Sequence, residues 1–362
     1  MSNSKKKKTD KEKKALTAIT VITIVVGIPL FVLFLSRYSK NNTGISTDTP
    51  VIQSPIATYQ QTEIPAETVA PTQTVMPTET AAVQTPEPVP SSSINLNEIE
   101  IRNMTSLRFY LESIFKSEQG KHGLSLYNTV TEEYIGINDT ELFVAASSTK
   151  VPMVMYVYNA VEKEQLSFDD IVVYTENDYE EGTGIIIKGE FGDVYTIGEL
   201  AEYAIIHSDN CAINMLIRTC NEWYMVNYMN KLGAKVDYIK KRWKTCPYDL
   251  TLYYKELLRL VEVNPEHYQK LMDDLCSNKV GYWMSSKSVL PEDLQIAMKT
   301  GINTTLPTYN EATIVFAKHP YILSYCSTDI VIEESTELHK KISKVIYDFM
   351  ENGYAVGELK WK

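Results

Sequence analysis

Eight of the fifteen prolines in this chain fall between Asn41 and Ser93, spaced so that neither a helix nor a strand can start there. The same stretch contains no Lys or Arg and consists mostly of Thr, Pro, Gln, Ala and Glu. It carries too little apolar surface to offset the entropy of ordering, which predicts a disordered stalk. Extended as polyproline II at about 3.1 Å per residue, such a stalk reaches roughly 160 Å. Ahead of it, Ala15 to Leu35 runs without a charged residue, long enough to span a bilayer. Lys5, Lys6, Lys7, Lys8, Lys11, Lys13 and Lys14 precede that run, and Ser36-Arg37-Tyr38 after it offers no small-residue cleavage site. The expected organisation is therefore a basic cytoplasmic tail (1–14), a transmembrane anchor (15–36), a Thr/Pro-rich stalk (37–93) and one globular domain (94–362). The lysine cluster keeps the tail in the cytoplasm, so the expectation is a single-pass protein of the cell membrane with its domain extracellular.

Charge narrows the partners. The whole chain carries −11; the tail contributes +5 and residues 37–93 contribute −3, which leaves −13 on the domain. Nucleic acid and anionic membrane surfaces are thus excluded as partners of the domain. Cys211, Cys220, Cys246, Cys276 and Cys326 show no metal-ligand spacing, the histidines form no HExxH, and no GxSxG occurs. No metal or organic cofactor is called for. Cys211 and Cys220 lie on opposite faces of one helical run and cannot pair, so the cysteines read mostly as small buried hydrophobes.

Within the domain, apolar periodicity predicts a helix over 104–117 and a hairpin of strands 123–129 and 134–138. A helix to about Glu164 begins near Ser147. Helical text fills 197–275, broken at Ser208-Asp209-Asn210, at Gly233 and near Pro247. Strands follow near 294–300, 309–317 and 321–327, then an amphipathic helix, 334–352. Strands at both ends with helices between them predict an α/β (α+β) fold: an antiparallel sheet flanked by the terminal helices, with an all-helical subdomain inserted.

Three short motifs stand out against this frame. Ser147-Ser148-Thr149-Lys150 follows the apolar Leu142-Phe143-Val144 and opens a helix, with Ser and Lys three residues apart on one face. A serine needs a base within reach to become a nucleophile, and a lysine serves only if its pKa is depressed. The spacing alone decides little, since Ser2…Lys5 and Ser4…Lys7 repeat it in the tail. Ser208-Asp209-Asn210 sits between two helical runs and Lys299-Thr300-Gly301 ends an apolar strand; each tripeptide occurs once.

SxxK, then SDN about sixty residues later, then KTG on a late strand resembles the penicillin-recognising serine enzymes, and among them class A β-lactamases. The resemblance covers about 120–350. It implies that Ser147 forms an acyl-enzyme, that Lys150 takes its proton, and that Ser208 relays the proton to the leaving nitrogen. Asn210 would hold the substrate's side-chain amide, and Lys299 and Thr300 its carboxylate, with Gly301 completing the motif. The backbone N–H groups of Ser147 and Ile302 would form the oxyanion hole. Asp209 would hold its loop in shape. The implied substrate is a β-lactam or a peptidoglycan stem peptide. Asn303-Thr304-Thr305 is a glycosylation sequon beside this site, and a glycan there would obstruct the pocket, which favours a bacterial source.

One departure matters. Class A enzymes carry a glutamate on a long omega-shaped loop after SDN, and it activates the water that frees the enzyme. Lys244 stands at the corresponding place, in a stretch that passes almost at once into the next helix. Asp237 is the nearest acid before it. Acylation is therefore expected to outpace deacylation. A D-alanyl-D-alanine peptidase or cell-wall amidase inhibited by β-lactams is the alternative reading, and a binding module without turnover is a third.

Overall fold

Side chains that alternate along three long strands separate two hydrophobic cores, and that alternation builds the centre of the protein. A computed structural model describes residues 100–241 and 243–352. The expected tail, anchor and stalk lie outside the described residues. Among the described residues no helix is long and apolar enough to cross a membrane.

The central sheet holds β1 (Lys121–Asn128), β2 (Tyr134–Ile137), β7 (Ile296–Asn303), β8 (Thr308–Val315) and β9 (Tyr321–Thr328). All pairs are antiparallel, in the order β2-β1-β9-β8-β7, which leaves β7 at one edge. One face carries Leu124, Leu126, Met298 and Leu323 against α1 (Met104–Ser117) and α8 (Ile332–Asn352). The other carries Ala297, Ala312, Ile314 and Ile322 against the helical subdomain. This is the antiparallel sheet with terminal helices and an inserted helical subdomain that the sequence predicts.

The inserted helices are α2 (Lys150–Glu162), α3 (Ile197–Ile206), α4 (Asn210–Cys220), α5 (Glu222–Lys231), α6 (Pro247–Val263) and α7 (Pro265–Ser277). Their starts follow from local chemistry. Thr196 and Glu199 form a capping box for α3, Asp209 accepts from Ala212 N to cap α4, and prolines open α6 and α7. Asn221 adds a break that periodicity does not show: it adopts a left-handed φ of 65° and caps α5 through Trp223 N. Two small ladders complete the fold, β3 (Phe143–Val144) with β6 (Lys244–Thr245), and β4 (Ile171–Val173) with β5 (Val194–Thr196). The cysteines are all free; four are buried and Cys276 is half-buried.

Behind β7, on the α8 side, one carboxylate organises several elements. Glu311 is fully buried and accepts from Tyr309 Oη (2.7 Å), Ser286 N (3.2 Å) and Ser286 Oγ, with His339 Nε2 3.2 Å away. Burial alone would raise its pKa, but the His339 charge and these hydrogen bonds outweigh burial and hold it below the usual value. Glu311 stands directly across from Thr300 in the ladder, so it ties segment 280–290 and α8 to the strand that carries KTG. Glu311→Ala is expected to cost on the order of 3–5 kcal/mol, because three donors lose a buried acceptor. Urea unfolding of residues 94–362 checks this, and a loss below about 1 kcal/mol would show that the network is not a keystone.

Candidate active site

β3 enters the site through a strained residue. Ala146 has a left-handed φ of 46°, and the chain then makes a 3-10 turn over Ala146–Thr149 before α2 starts at Lys150. Ser147 therefore lies in this tight turn and not in the first turn of the α-helix, as the sequence suggested. In a 3-10 turn residues i and i+3 eclipse, so the Ser147–Lys150 alignment survives the change. The turn is fixed from three sides. Ala145 N donates to Trp243 O (2.9 Å), Asn310 Nδ2 donates to Val144 O (2.7 Å) and Ala145 O (3.1 Å), and Ser148 Oγ donates to Ala145 O (2.6 Å).

Gly301 brings the sheet edge to this turn. A Cβ at Gly301 would sit 2.7 Å from Ala145 O and 2.8 Å from Ser148 N, closer than real Cβ atoms come. Only glycine lets β7 lie against the backbone of the Ser147 turn. That contact accounts for the G of KTG without reference to a substrate.

The SDN turn joins from the helical side. Lys150 Nζ donates to Ser208 O (2.5 Å) and Asn210 Oδ1 (2.7 Å), so the lysine of the first motif is held by the second. Ser208 is buried with a left-handed φ of 52°, and its carbonyl also accepts from Thr183 Oγ1 at 2.7 Å. Asp209 does hold its loop: its carboxylate accepts from Ile185 N (2.6 Å), Ile186 N (2.9 Å) and Ala212 N (2.9 Å).

Lys150 is buried, and desolvation pushes its pKa down to about 8 against the opposing charges of Asp209 and Glu180. A lysine titrating there is neutral in roughly one molecule in ten at pH 7, against roughly one in three thousand for an ordinary lysine. The neutral amine has two N–H donors and one lone pair. Ser208 O and Asn210 Oδ1 take the donors, which leaves the lone pair for a hydroxyl proton. Lys299 follows the alternation of β7 onto the same side of the sheet. It is fully buried, its Nζ has no hydrogen-bond partner within the protein, and burial and then the charge of Lys150 push it well below the usual lysine range.

Ser147, Lys150, Asn210 and Ile302 line one cleft of about 660 Å³. Lys299 and Thr300 lie buried behind it; the Thr300 hydroxyl donates to Val280 O at 3.1 Å, and Gly281 packs onto it. Lys244 lines the cleft through β6, opposite Val144. Asp237 does not: it is half-exposed and pairs with Lys240 at 3.3 Å. Residues the motifs did not flag complete the wall, namely Glu180, Glu181, Thr183, Asn214 and Trp243. Asn214 was open to detection, since it follows Asn210 by four residues on one helix face. No group of His, Cys, Asp and Glu among the described residues could hold a metal ion.

The unpaired Lys299 costs stability. Lys299→Met is expected to raise the unfolding free energy by on the order of 1 kcal/mol or more, or roughly 2–4 °C in Tm. Between its lowered folded pKa and 10.5 the unfolded chain alone holds the Lys299 proton, so natural stability rises with pH there. The methionine variant should lose part of that slope in thermal melts; an equal or lower Tm would contradict the burial argument.

Known proteins resemble this chain in sequence and in fold. Residues 106–350 match the family model described as the beta-lactamase enzyme family. Beta-lactamase VEB-1 of Pseudomonas aeruginosa is 24% identical over 150 residues, 39% of this chain and 50% of that protein, so the chain spans about half the length of that relative. A beta-lactamase of Streptomyces cellulosae is 25% identical over 222 residues, covering 57% of this chain and 71% of the relative. Among solved structures, PBP-A superposes with a TM-score of 0.62 at 19% identity, covering 68% of this chain and 96% of that one. An ancestral class A β-lactamase of Gram-negative bacteria does so with a TM-score of 0.57 at 20% identity, covering 66% and 98%. Ser147, Lys150 and Asn210 share one cleft, while Ser208, Lys299 and Thr300 are buried and do not line it. With the family match running over most of the domain, the chain belongs to the β-lactamase enzyme family of serine hydrolases.

Proposed function

We propose that Ser147 forms an acyl-enzyme with β-lactams or with D-alanyl-D-alanine-type amides, and that the ester is then released slowly. The observation that carries this reading is the Lys150 amine: buried, lowered to about 8, with both donors engaged, in the cleft that holds Ser147. Lys150 takes the Ser147 proton, the hydroxyl oxygen attacks the amide carbonyl, and Ser208 passes the proton to the leaving nitrogen. The Ser147 and Ile302 N–H groups stabilise the oxyanion. Asn210 holds the substrate's side-chain amide, and Lys299 and Thr300 bind its carboxylate. A mutant of PBP-A has been solved as an acyl-enzyme complex with penicillin G, which supports penicillin as the probe.

Slow release rests on Lys244. A charged lysine cannot accept a proton from water. General-base assistance is typically worth about 10²–10⁴ in rate, or roughly 3–5 kcal/mol of barrier. The segment before Lys244 is short and tied down, with Asp249 accepting from Lys235 N (2.7 Å) and Val236 N (3.0 Å). The same lysine favours a second reading, a D-alanyl-D-alanine peptidase or cell-wall amidase for which β-lactams are inhibitors; capture without turnover is its limit. We further propose that residues 15–36 anchor the protein in the cell membrane and that the stalk carries the domain outward, toward wall peptide.

Intact-protein mass spectrometry of residues 94–362 with penicillin, followed over time, tests the reading. The expected result is one adduct that forms within minutes, persists, and is absent in Ser147→Ala. Immediate return to the unmodified mass would mean efficient turnover; labelling that survives in Ser147→Ala would refute the nucleophile.

A further inference from the structure

The cleft that holds Ser147 also holds carboxylates that belong to none of the three motifs. Glu180 and Glu181 are the acidic side chains that line it. They stand on the loop that precedes the SDN helix, whereas Lys244 belongs to β6. Glu180 is oriented: Asn214 Nδ2 donates to its Oε2 at 2.9 Å and to Asp178 O at 3.3 Å. The loop that carries it is pinned to the SDN turn at several points. Asn210 Nδ2 donates to Glu181 O (3.0 Å), Asn210 N donates to Thr183 O (3.0 Å), and Asp209 holds Ile185 N and Ile186 N. The amide that fixes Glu180 and the amide that fixes Lys150 thus project from one helix, four residues apart. The other carboxylate oxygen, Oε1, remains for a water.

We propose that Glu180 is the general base for whatever release of the Ser147 acyl-enzyme this protein performs, with Asn214 as its positioning residue. The proposal rests on the acyl-enzyme reading above. A water held by Glu180 Oε1 attacks the ester carbonyl, and its proton passes to the carboxylate as the new C–O bond forms. The tetrahedral intermediate then collapses by breaking the bond to Ser147 Oγ. The proton on Glu180 returns to that oxygen through the Lys150 amine, and the acid product keeps the second proton of the water. Lys150, Lys244 and Glu181 are the other charged groups that line this cleft. Because Glu180 sits on an exposed loop, its help is smaller than that of a buried base on a long loop, which is consistent with slow release.

The test measures acylation and release separately on residues 94–362 with penicillin, by timed mass spectrometry after excess ligand is removed. Glu180→Gln is expected to slow release at least about tenfold while acylation stays within about threefold, and to remove the acid limb of the release–pH profile. Asn214→Leu should slow release in the same direction, and Asp237→Asn should change neither rate. Unchanged release in Glu180→Gln, a larger loss in Glu181→Gln, or an adduct that never clears in the natural protein would each overturn the assignment. Absence of any adduct would instead overturn the acyl-enzyme reading on which it depends.

Discussion

Two lysine amines kept from water beside each other are the constraint on which this site depends. Lys299 has no partner within the protein, and Lys150 has only neutral acceptors, a carbonyl and an amide. Burial is the main reason that each is hard to charge, and the charge of Lys150 adds to it for Lys299. Such a pair is unstable unless the fold around it is rigid, and the fold supplies that rigidity from both sides. β7 is an edge strand braced by Glu311 and α8. The SDN turn is braced by Asp209, whose three hydrogen bonds fix the 180s loop to α4. Strain at Ala146 and Ser208 is tolerated because both residues lie between these braces.

The motifs can be seen as joints between rigid bodies as much as catalytic groups. Gly301 lets the sheet edge approach the Ser147 turn, Asn210 links the helical subdomain to Lys150, and Asp209 holds the loop that walls the cleft. SDN and KTG thus each include a residue that sets the position of its neighbours. Conservative substitutions at Asp209 or Gly301 should therefore damage the site while leaving the cores intact.

Much of this was legible in the sequence. The order of elements followed from periodicity, because the strands alternate between two apolar cores and α1 and α8 cover one of them. Ser147, Lys150, Ser208, Asn210 and Lys299 stood out through the order and spacing of three short motifs. What stayed hidden has physical reasons. Glu180 and Glu181 lie in a stretch of short strands and 3-10 turns, where no period marks a face. Asn310 tethers Val144 across more than a hundred residues, a contact no local pattern records. Asn221 breaks a helical run through a left-handed conformation that its neighbours do not announce. The burial of Thr300 under Val280 and Gly281 also depends on tertiary packing alone.

The central claim is that Ser147 is activated by a neutral Lys150, and the pH dependence of acylation tests it most directly. The second-order rate of adduct formation with penicillin would be measured on the domain from about pH 6 to about pH 10. The account expects the rate to rise about tenfold per unit at the acid end and to level off near the lowered pKa of about 8. A rate that does not change over this range, or that levels only near the ordinary lysine value of about 10.4, would contradict it.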